Sequence, residues 1–305
     1  MVKLARPIGD LDLHLFGEGT HRRLWELLGP QPLHVDADGT AIGIRFALWA
    51  PDAESVSVVG DWNGGETPAA MSHVGVSGIW STMVPLARSG HRYAFDVVGA
   101  DGSVRLDDPM ARRSAVTAVG MVPDVGEYEW GDDAWMRTRC SGPSATDWRI
   151  RPAHLGEAHH TDTDGAASWE ALAARLVEHV ATPGSTHVEL PVASESAVYA
   201  PFPRLGEPDD LRRFVERFHA RGVGVIATIR PARTSHGIHH DGGDLLRNEV
   251  RNMLIANALY WLEEFHVDGV RLVMDGVEPA LAEALARELV AVVGEEFDDA
   301  AVIID

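Results

Sequence analysis

The second half of the sequence alternates short apolar segments with longer amphipathic ones, and this alternation limits the possible folds more than any other feature. From residue 148 onward we predict strands near 148–155, 186–191, 223–229, 267–273 and 300–304, and helices near 168–180, 208–220, 247–265 and 279–293. Strands that alternate with helices of this length form a parallel sheet through right-handed crossover connections. The sequence therefore predicts an α/β domain over residues 148–305.

The first half has a different pattern, the period-two alternation of antiparallel β structure. We predict strands over 44–49, 55–59, 78–84 and 93–98, separated by turns rich in Gly, Asn and Asp. Short strands at this spacing are typical of a sandwich. We therefore predict a multidomain β plus α/β chain: an N-terminal segment with a helix over 1–40, an immunoglobulin-like β-sandwich over 41–125, a linker over 126–147 and the α/β domain.

Composition excludes several classes of partner. A net charge of -20 argues against nucleic acid and anionic membranes, since both need a basic face. The single cysteine, Cys140, excludes an internal disulfide and fits a reducing compartment. No run approaches the ~18 apolar residues of a membrane helix, and residues 1–7 lack the apolar core of a signal peptide. We therefore expect a cytoplasmic protein.

The stretch from Asp268 to Asp275 reads as a buried strand that ends in a polar turn. Because side chains alternate along a strand, Arg271, Val273 and Asp275 share one face. An arginine on a buried strand face needs a counter-charge or a polar cavity. That face is therefore a candidate functional site.

Several motifs resemble those of the bacterial 1,4-α-glucan (glycogen) branching enzymes, which are α-amylase-type barrel enzymes. The matching segments are Leu13–His21, Trp49–Pro51, Gly60–Gly64, Asp107–Pro109 and Arg247–Arg271. The resemblance covers residues 11–305 and implies a carbohydrate-binding module followed by the first strands of a (β/α) barrel. A complete barrel takes ~250 residues. We therefore expect a partial barrel of about five strands, truncated relative to the family, with open sheet edges for a protein partner or a second copy of the chain.

The resemblance also implies a chemistry, retaining transglycosylation by a pair of carboxylates. At the positions that match the family's motifs, Val273 replaces the nucleophilic aspartate, Thr228 replaces an aspartate and Arg233 replaces a histidine. The family's arginine is kept as Arg271, and Asp305 aligns with the acid/base glutamate. A valine cannot attack an anomeric carbon, so the resemblance implies a relative that is degenerate at its catalytic positions and inactive.

Asp275 is the nearest carboxylate that could replace the nucleophile. It shares a face with Val273, but two residues of strand displace it by ~6.6 Å. Covalent catalysis loses ~10²-fold in rate for a misplacement of the order of 1 Å. We therefore predict that Asp275 is a turn residue before Gly276.

The predicted sandwich contains candidate sugar-binding residues. Exposed aromatic rings stack on the faces of sugars, and by resemblance we take Trp62, Asn63 and Trp80 as glucan-binding candidates. The other interpretation is that both tryptophans are core residues. The family usually has a tryptophan just after the Asn-Gly turn, where this chain has Gly65.

Three interpretations of function remain open. The first is an inactive branching-enzyme-like protein that binds α-glucan or regulates a partner in glycogen metabolism. The second is an active branching transferase that recruits Asp275 or Asp305, and the third is a structural protein that docks a partner at its sheet edge. The histidine-rich stretches 154–164 and 236–244 are more typical of solvated loops than of zinc sites. For this reason we expect no metal. No phosphate-binding glycine-rich motif is present, so we expect no nucleotide or other cofactor.

Overall fold

The computed structural model describes residues 4–35, 41–65, 67–116, 119–124, 126, 128–139, 147–153, 155, 167–180, 184–231, 246–297 and 299–305. The chain divides into two compact units. The first comprises Met1–Glu127, Glu195–Ala200 and Ala232–Ala256, and the second comprises Tyr128–Ser194, Pro201–Pro231 and Asn257–Asp305.

The amino-terminal part of the chain folds into the predicted sandwich. Its helices are α1 (Asp10–Gly17) and α2 (Leu24–Leu27), and its strands are β1 (Gly29–Val35), β2 (Ala41–Trp49), β3 (Ser55–Gly60), β4 (Ala69–Ala70), β5 (Ser72–His73), β6 (Ile79–Arg88), β7 (Arg92–Gly99), β8 (Gly102–Leu106) and β9 (Gly120–Met121). One sheet has the order β1-β2-β6-β5 and the other β4-β3-β7-β8, with β9 paired to β7. Inward side chains of both sheets, among them Phe46, Val58 and Phe95, form its core.

Strand β1 is a difference from the predicted boundaries, which placed residues 1–40 outside the sandwich. It pairs antiparallel with β2 and forms an edge of its sheet. Pro30 and Pro32 conceal the strand in the sequence, because proline lacks the amide proton of a ladder hydrogen bond and is confined to edge strands.

The second face of β2 is also buried. Arg45 lies on that face and donates hydrogen bonds to the backbone carbonyls of Arg6 (2.7 Å) and Leu27 (2.7 Å). Trp49, further along the same face, packs edge-on against Phe16 of α1 at 5.9 Å. Burial lowers the pKa of Arg45 to about 10. The N-terminal segment therefore forms a third layer on this sheet.

The remainder of the chain contains the predicted alternation of helices and strands. The helices are α3 (Asp133–Thr138), α4 (Trp169–Val180), α5 (Pro208–His219), α6 (Asn248–Phe265) and α7 (Pro279–Glu296), and the strands are β10 (Ile150–Pro152), β11 (His187–Pro191), β12 (Ala193–Ser194), β13 (Ala197–Pro201), β14 (Gly224–Ile229), β15 (Gly269–Leu272) and β16 (Ala301–Ile304).

Five of these strands form the parallel sheet of the second unit, in the order β10-β11-β14-β15-β16. Helix α5 contacts β14, and α7 contacts β16. Helix α4 packs on α5, where Trp169 meets Phe214 edge-on at 5.7 Å. These strands form the predicted partial barrel, and each lies within the residues predicted for it.

The segment predicted as a linker, 126–147, is more structured than expected. Residues 128–139 belong to the second unit and include α3. None of the described helices combines the length and the apolar character needed to cross a membrane.

Candidate functional site

Arg271 has the counter-charges that its buried strand face requires. Its Nε lies 2.8 Å from Oε1 of Glu189 on β11. Its Nη1 donates a hydrogen bond to Oδ1 of Asp305, at 2.6 Å. Burial lowers the pKa of Arg271, but the two carboxylates outweigh it, so that this pKa lies above its usual value. The predicted site is therefore an ion-pair cluster at the carboxyl ends of the parallel strands.

Glu189 belongs to this candidate site but was not predicted from the sequence. It also accepts a hydrogen bond from the Thr228 hydroxyl, at 3.1 Å. Thr228 stands beside Arg271 in the register of β14 and β15. A carboxylate within the otherwise apolar run from Val188 to Leu190 was the available signal, because a charged residue is rarely buried without a partner.

The position of the family's nucleophile is apolar and buried. Val273 follows β15 directly, and its amide donates to the Ile229 carbonyl at 3.1 Å. The carboxylate of Asp275 accepts a hydrogen bond from Arg230 at 2.7 Å and is mostly exposed. Arg233, the remaining substituted position, lies outside the described residues.

This cluster contains one cation, two carboxylates and a hydroxyl, and each charged group has a partner within it. Glu189 is held by both Arg271 and Thr228, whereas Asp305 is held by Arg271 and is half exposed. Such a cluster stabilises the ends of neighbouring strands, and its polar atoms also present hydrogen-bonding groups at the edge where (β/α) barrels place their active sites.

Of the two tryptophans that are sugar-binding candidates, Trp62 retains accessible surface. It lies on a 3₁₀ turn, Asp61–Asn63, directly after β3, and is partly buried. Its ring packs against Phe46 at 5.4 Å and across the backbone of Gly60. A side chain at residue 60 would overlap the ring, so that glycine is what permits this placement.

Polar groups on both sides of Trp62 shape the turn. The Asn63 amide donates to the Thr67 carbonyl at 2.6 Å and accepts from the Gly65 amide at 3.2 Å. Asp61 accepts hydrogen bonds from the backbone amide of Arg92 (2.9 Å) and from its Nε (3.1 Å). These bonds lower the pKa of Asp61. The exposed Asp61–Arg92 pair therefore stands beside the ring as a fixed set of donors and acceptors.

Trp80 differs from its predicted role. Its residue is 5% exposed, its Nε1 donates to the Ala50 carbonyl at 2.9 Å, and its ring lies against His73 at 3.7 Å. A ring with so little accessible surface has no face for a sugar. Trp80 is therefore a core residue of the sandwich, which was the other interpretation of the sequence.

No metal centre is found in the part of the chain that the structure describes. Within it, no group of three or more His, Cys, Asp or Glu side chains is arranged to hold a metal ion. The two histidine-rich stretches, 154–164 and 236–244, lie almost entirely outside the described residues.

Comparison with known proteins identifies the domain in the first part of the chain and the fold of the whole. Residues 28–111 match the model of carbohydrate-binding module 48, the isoamylase N-terminal domain. A pullulanase from Paenibacillus barengoltzii has a TM-score of 0.65 at 19% identity, over 87% of this chain and 51% of its own. The Group B Streptococcus pullulanase SAP has a TM-score of 0.66 at 18% identity, over 91% and 45%. These likenesses show the fold, a binding module followed by a partial (β/α) barrel.

Sequence similarity identifies the group of relatives. The chain is 41% identical to the 1,4-alpha-glucan branching enzyme GlgB of Rhodococcus jostii, over 87% of this chain and 41% of that protein. It is 39% identical to the GlgB of Corynebacterium glutamicum, over 92% and 43%. The chain is therefore a homologue of the branching enzymes over most of its length, as its motifs predict, and it spans about two fifths of the length of these relatives.

Proposed function

We propose that this chain is an α-glucan-binding protein of the branching-enzyme type that does not itself transfer glucan chains. The observation that carries the proposal is the Arg271 cluster. Val273 stands where the family has its nucleophile, and the two carboxylates beside it, Glu189 and Asp305, are paired with Arg271.

The chemistry explains why this arrangement argues against transfer. A retaining enzyme needs one carboxylate free to attack and a second, ~5–5.5 Å away, to protonate the departing oxygen. Val273 cannot form the glycosyl-enzyme, and Glu189 and Asp305 are both paired with the guanidinium of Arg271 on β15. Removing the nucleophile of a covalent catalyst has cost ~10⁶-fold in rate in a well-studied protease. We therefore expect no detectable branching by this chain.

Glucan binding is supported by the module and by its surface. The pullulanase of Paenibacillus barengoltzii was solved with maltohexaose and α-cyclodextrin, and the relatives are named as branching enzymes of 1,4-alpha-glucan. In this chain the partly exposed ring of Trp62 and the Asp61–Arg92 pair combine an aromatic platform with polar groups that can bond to hydroxyls.

The test measures binding and activity separately. Affinity electrophoresis of the purified chain in gels with glycogen measures binding, maltoheptaose serves as a soluble competitor, and a branching assay on amylose runs in parallel. Trp62→Ala and Arg92→Gln are expected to reduce the retardation. The matched control is Arg105→Gln, because Arg105 forms an equally exposed two-bond pair with Asp96 on the same sheet.

Each outcome bears on one part of the proposal. We expect glycogen to retard the wild type and amylose to remain unbranched. The retardation should be weaker in the Trp62 and Arg92 variants but not in the Arg105 variant. Branching by the wild type would overturn the inactive assignment, and Asp275→Ala and Asp305→Ala would then identify the recruited carboxylate. Absence of retardation would overturn the glucan-binding assignment.

Two further expectations stay predictions. The first is that a protein partner or a second copy of the chain binds at the outer strands of the described sheet, β10 and β16. Light scattering coupled to size-exclusion chromatography checks it. A cytoplasmic location is checked by cell fractionation.

A further inference from the structure

Residues 128–139, which we call the strap, lie on the amino ends of the parallel strands. Trp135 Nε1 donates to Oδ1 of Asp268 at 2.7 Å, and Arg139 Nη2 donates to Oδ1 of Asp299 at 3.0 Å. Asp268 stands directly before β15 and Asp299 shortly before β16. The strap is therefore held by side chains at the edge of the sheet opposite to the Arg271 cluster.

A buried histidine links the strap to the sheet. His219, at the end of α5, has its Nδ1 2.8 Å from Oδ2 of Asp132 in the strap and its Nε2 3.0 Å from Oδ2 of Asp268. The side chain of His219 is 0% exposed, and both carboxylates are buried as well. Trp135 stacks on the imidazole at 5.0 Å with an interplanar angle of 16°.

Other charged and titratable groups surround the two aspartates. His266 Nδ1 lies 3.1 Å from Asp132 and stacks on Trp130, and Arg139 lies 3.8 Å from Asp268. His187, at the start of β11, stacks on Trp148. Burial lowers the pKa of His187 to about 4 and lowers that of His266.

His219 behaves differently from the other two histidines. Burial also lowers its pKa, but hydrogen bonds to Asp132 and Asp268 and their charges outweigh the burial, so that its pKa lies above 6.5. Burial alone would raise the pKa values of Asp132 and Asp268, but hydrogen bonds from His219 and from their other partners together outweigh it, so that both pKa values lie below the usual value of an aspartate. The site therefore favours an imidazolium between two carboxylates more strongly than water does.

The protonation state of His219 decides how many of these contacts can form. An imidazolium has two N–H donors, one for each aspartate, whereas a neutral imidazole has one donor and one lone pair. In the neutral form, a nitrogen lone pair faces a carboxylate oxygen, and two buried negative charges lose their shared cation. An uncompensated buried charge is strongly destabilising.

We propose that loss of the His219 proton releases the strap from the amino ends of the strands, so that the strap opens as the pH rises. The sign follows from linkage. A histidine whose pKa is raised in the folded state contributes stability that is complete below its unfolded pKa and is lost as the pH rises through the folded value. Between the two values, the open population is expected to rise by up to about tenfold per pH unit.

Trypsin cleavage inside the strap measures this opening directly. Arg137 and Arg139 are tryptic sites, and the side chain of Arg139 is buried in the closed strap. The full chain is digested between pH 6.5 and 9, cleavage at these two residues is followed by mass spectrometry, and each rate is divided by that of an unstructured peptide substrate. When the strap reopens and closes faster than trypsin cuts, the normalised rate tracks the open population.

Three variants separate His219 from its neighbours. His219→Asn removes the titrating group and is expected to flatten the profile. Asp132→Asn removes one of the two carboxylates and is expected to move the rise to lower pH. His187→Gln is the matched control, because this buried, tryptophan-stacked histidine beside the same cluster is already neutral over the whole range.

We expect the normalised cleavage rate of the wild type to rise with pH. The pH profile of the His187 variant should have the same shape. A wild-type rate that is constant from pH 6.5 to 9, or a rise that persists in His219→Asn, would overturn the proposal. If circular dichroism shows that His219→Asn does not fold, the Asp132→Asn profile decides, and an unshifted profile also overturns it.

Discussion

Gly60 is the position at which a single methyl group is expected to disturb both the sandwich and its candidate sugar-binding surface. The residue ends β3, next to Trp62, and its backbone is fully extended, so that alanine meets no conformational obstacle there. A Cβ at this position would lie 2.1 Å from Cζ3 of Trp62 and 2.6 Å from the Arg92 carbonyl oxygen. Any effect of Gly60→Ala therefore arises from overlap with these neighbours.

The magnitude follows from how far these neighbours must move. Carbon atoms pack best at about 3.5–4.0 Å, so the Trp62 ring would have to withdraw by more than about 1 Å. The Arg92 carbonyl has less freedom, since Gly60 is paired with Tyr93 in the ladder between β3 and β7. Overpacking of this kind costs about 1–3 kcal/mol. We expect Gly60→Ala to lower the free energy of unfolding of the sandwich by about 2 kcal/mol.

Gly99→Ala is the matched control. Gly99 ends β7, its φ is not positive, and a Cβ there would meet only the Asp52 carbonyl at 3.6 Å, an ordinary contact. Replacing such a glycine is expected to leave stability unchanged or to raise it by about 0.4–1 kcal/mol, because the unfolded chain loses freedom.

Urea denaturation of both variants, with hydrogen exchange to assign each transition to its unit, measures the two effects. If Trp62 contacts glucan, Gly60→Ala also reduces retardation by glycogen, because the ring is displaced. Equal unfolding free energies for the two variants would refute the packing argument, whatever their glucan affinity.

Two further predictions concern buried carboxylates. Asp268 accepts hydrogen bonds from His219, Trp135 and a backbone amide. An asparagine side chain has only one acceptor atom, so Asp268→Asn should lower the unfolding free energy of the second unit by about 3–5 kcal/mol. The control is Asp209→Asn, at an exposed ion pair, which should change the unfolding free energy by less than about 1 kcal/mol when both variants are unfolded in urea. A similarly small loss for Asp268→Asn would contradict the argument. Burial raises the pKa of Asp108 to about 6. The folded sandwich therefore binds the proton of this carboxyl group more tightly than the unfolded chain does. The stability of the sandwich should fall by about 3 kcal/mol as the pH rises from about 4 to about 7. The Asp108→Asn variant should lack this fall, and parallel stability profiles for the two proteins would contradict the assignment.

The regular elements could be predicted from the sequence because their signals are local. The helix predicted over 208–220 is α5, Pro208–His219, and the one predicted over 247–265 is α6, Asn248–Phe265. The first begins with a proline at a position where proline is favoured and has a periodic apolar pattern. The second is a long segment that is buried on all its faces over residues 252–262. The helix predicted to end at 293 continues through Gly294 to Glu296, since a glycine inside a helix costs only about 1 kcal/mol relative to alanine.

The candidate sites were less predictable because they depend on pairing between distant residues. Glu189 and Arg271 are 82 positions apart and meet only through the strand order β11-β14-β15. Trp62 and Trp80 follow similar turn signals, and only the packing of the two sheets makes one partly exposed and the other a core residue. The strap was predicted as a linker, since the side-chain hydrogen bonds that attach it to the sheet are to residues far along the chain, such as Asp268 and Asp299.

The two ends of the parallel sheet carry different side chains, and this separation explains how the fold could tolerate the loss of catalytic residues that we propose. At the amino ends, Asp268 and His219 connect several elements through buried hydrogen bonds, so that a change there costs stability. At the carboxyl ends, Val273 adds a buried apolar side chain, and the charge of Arg271 is met by Glu189 and Asp305. A valine at this position therefore leaves no unpaired charge behind. If Val273 replaces a nucleophile, as we propose, that substitution therefore costs the sheet little stability.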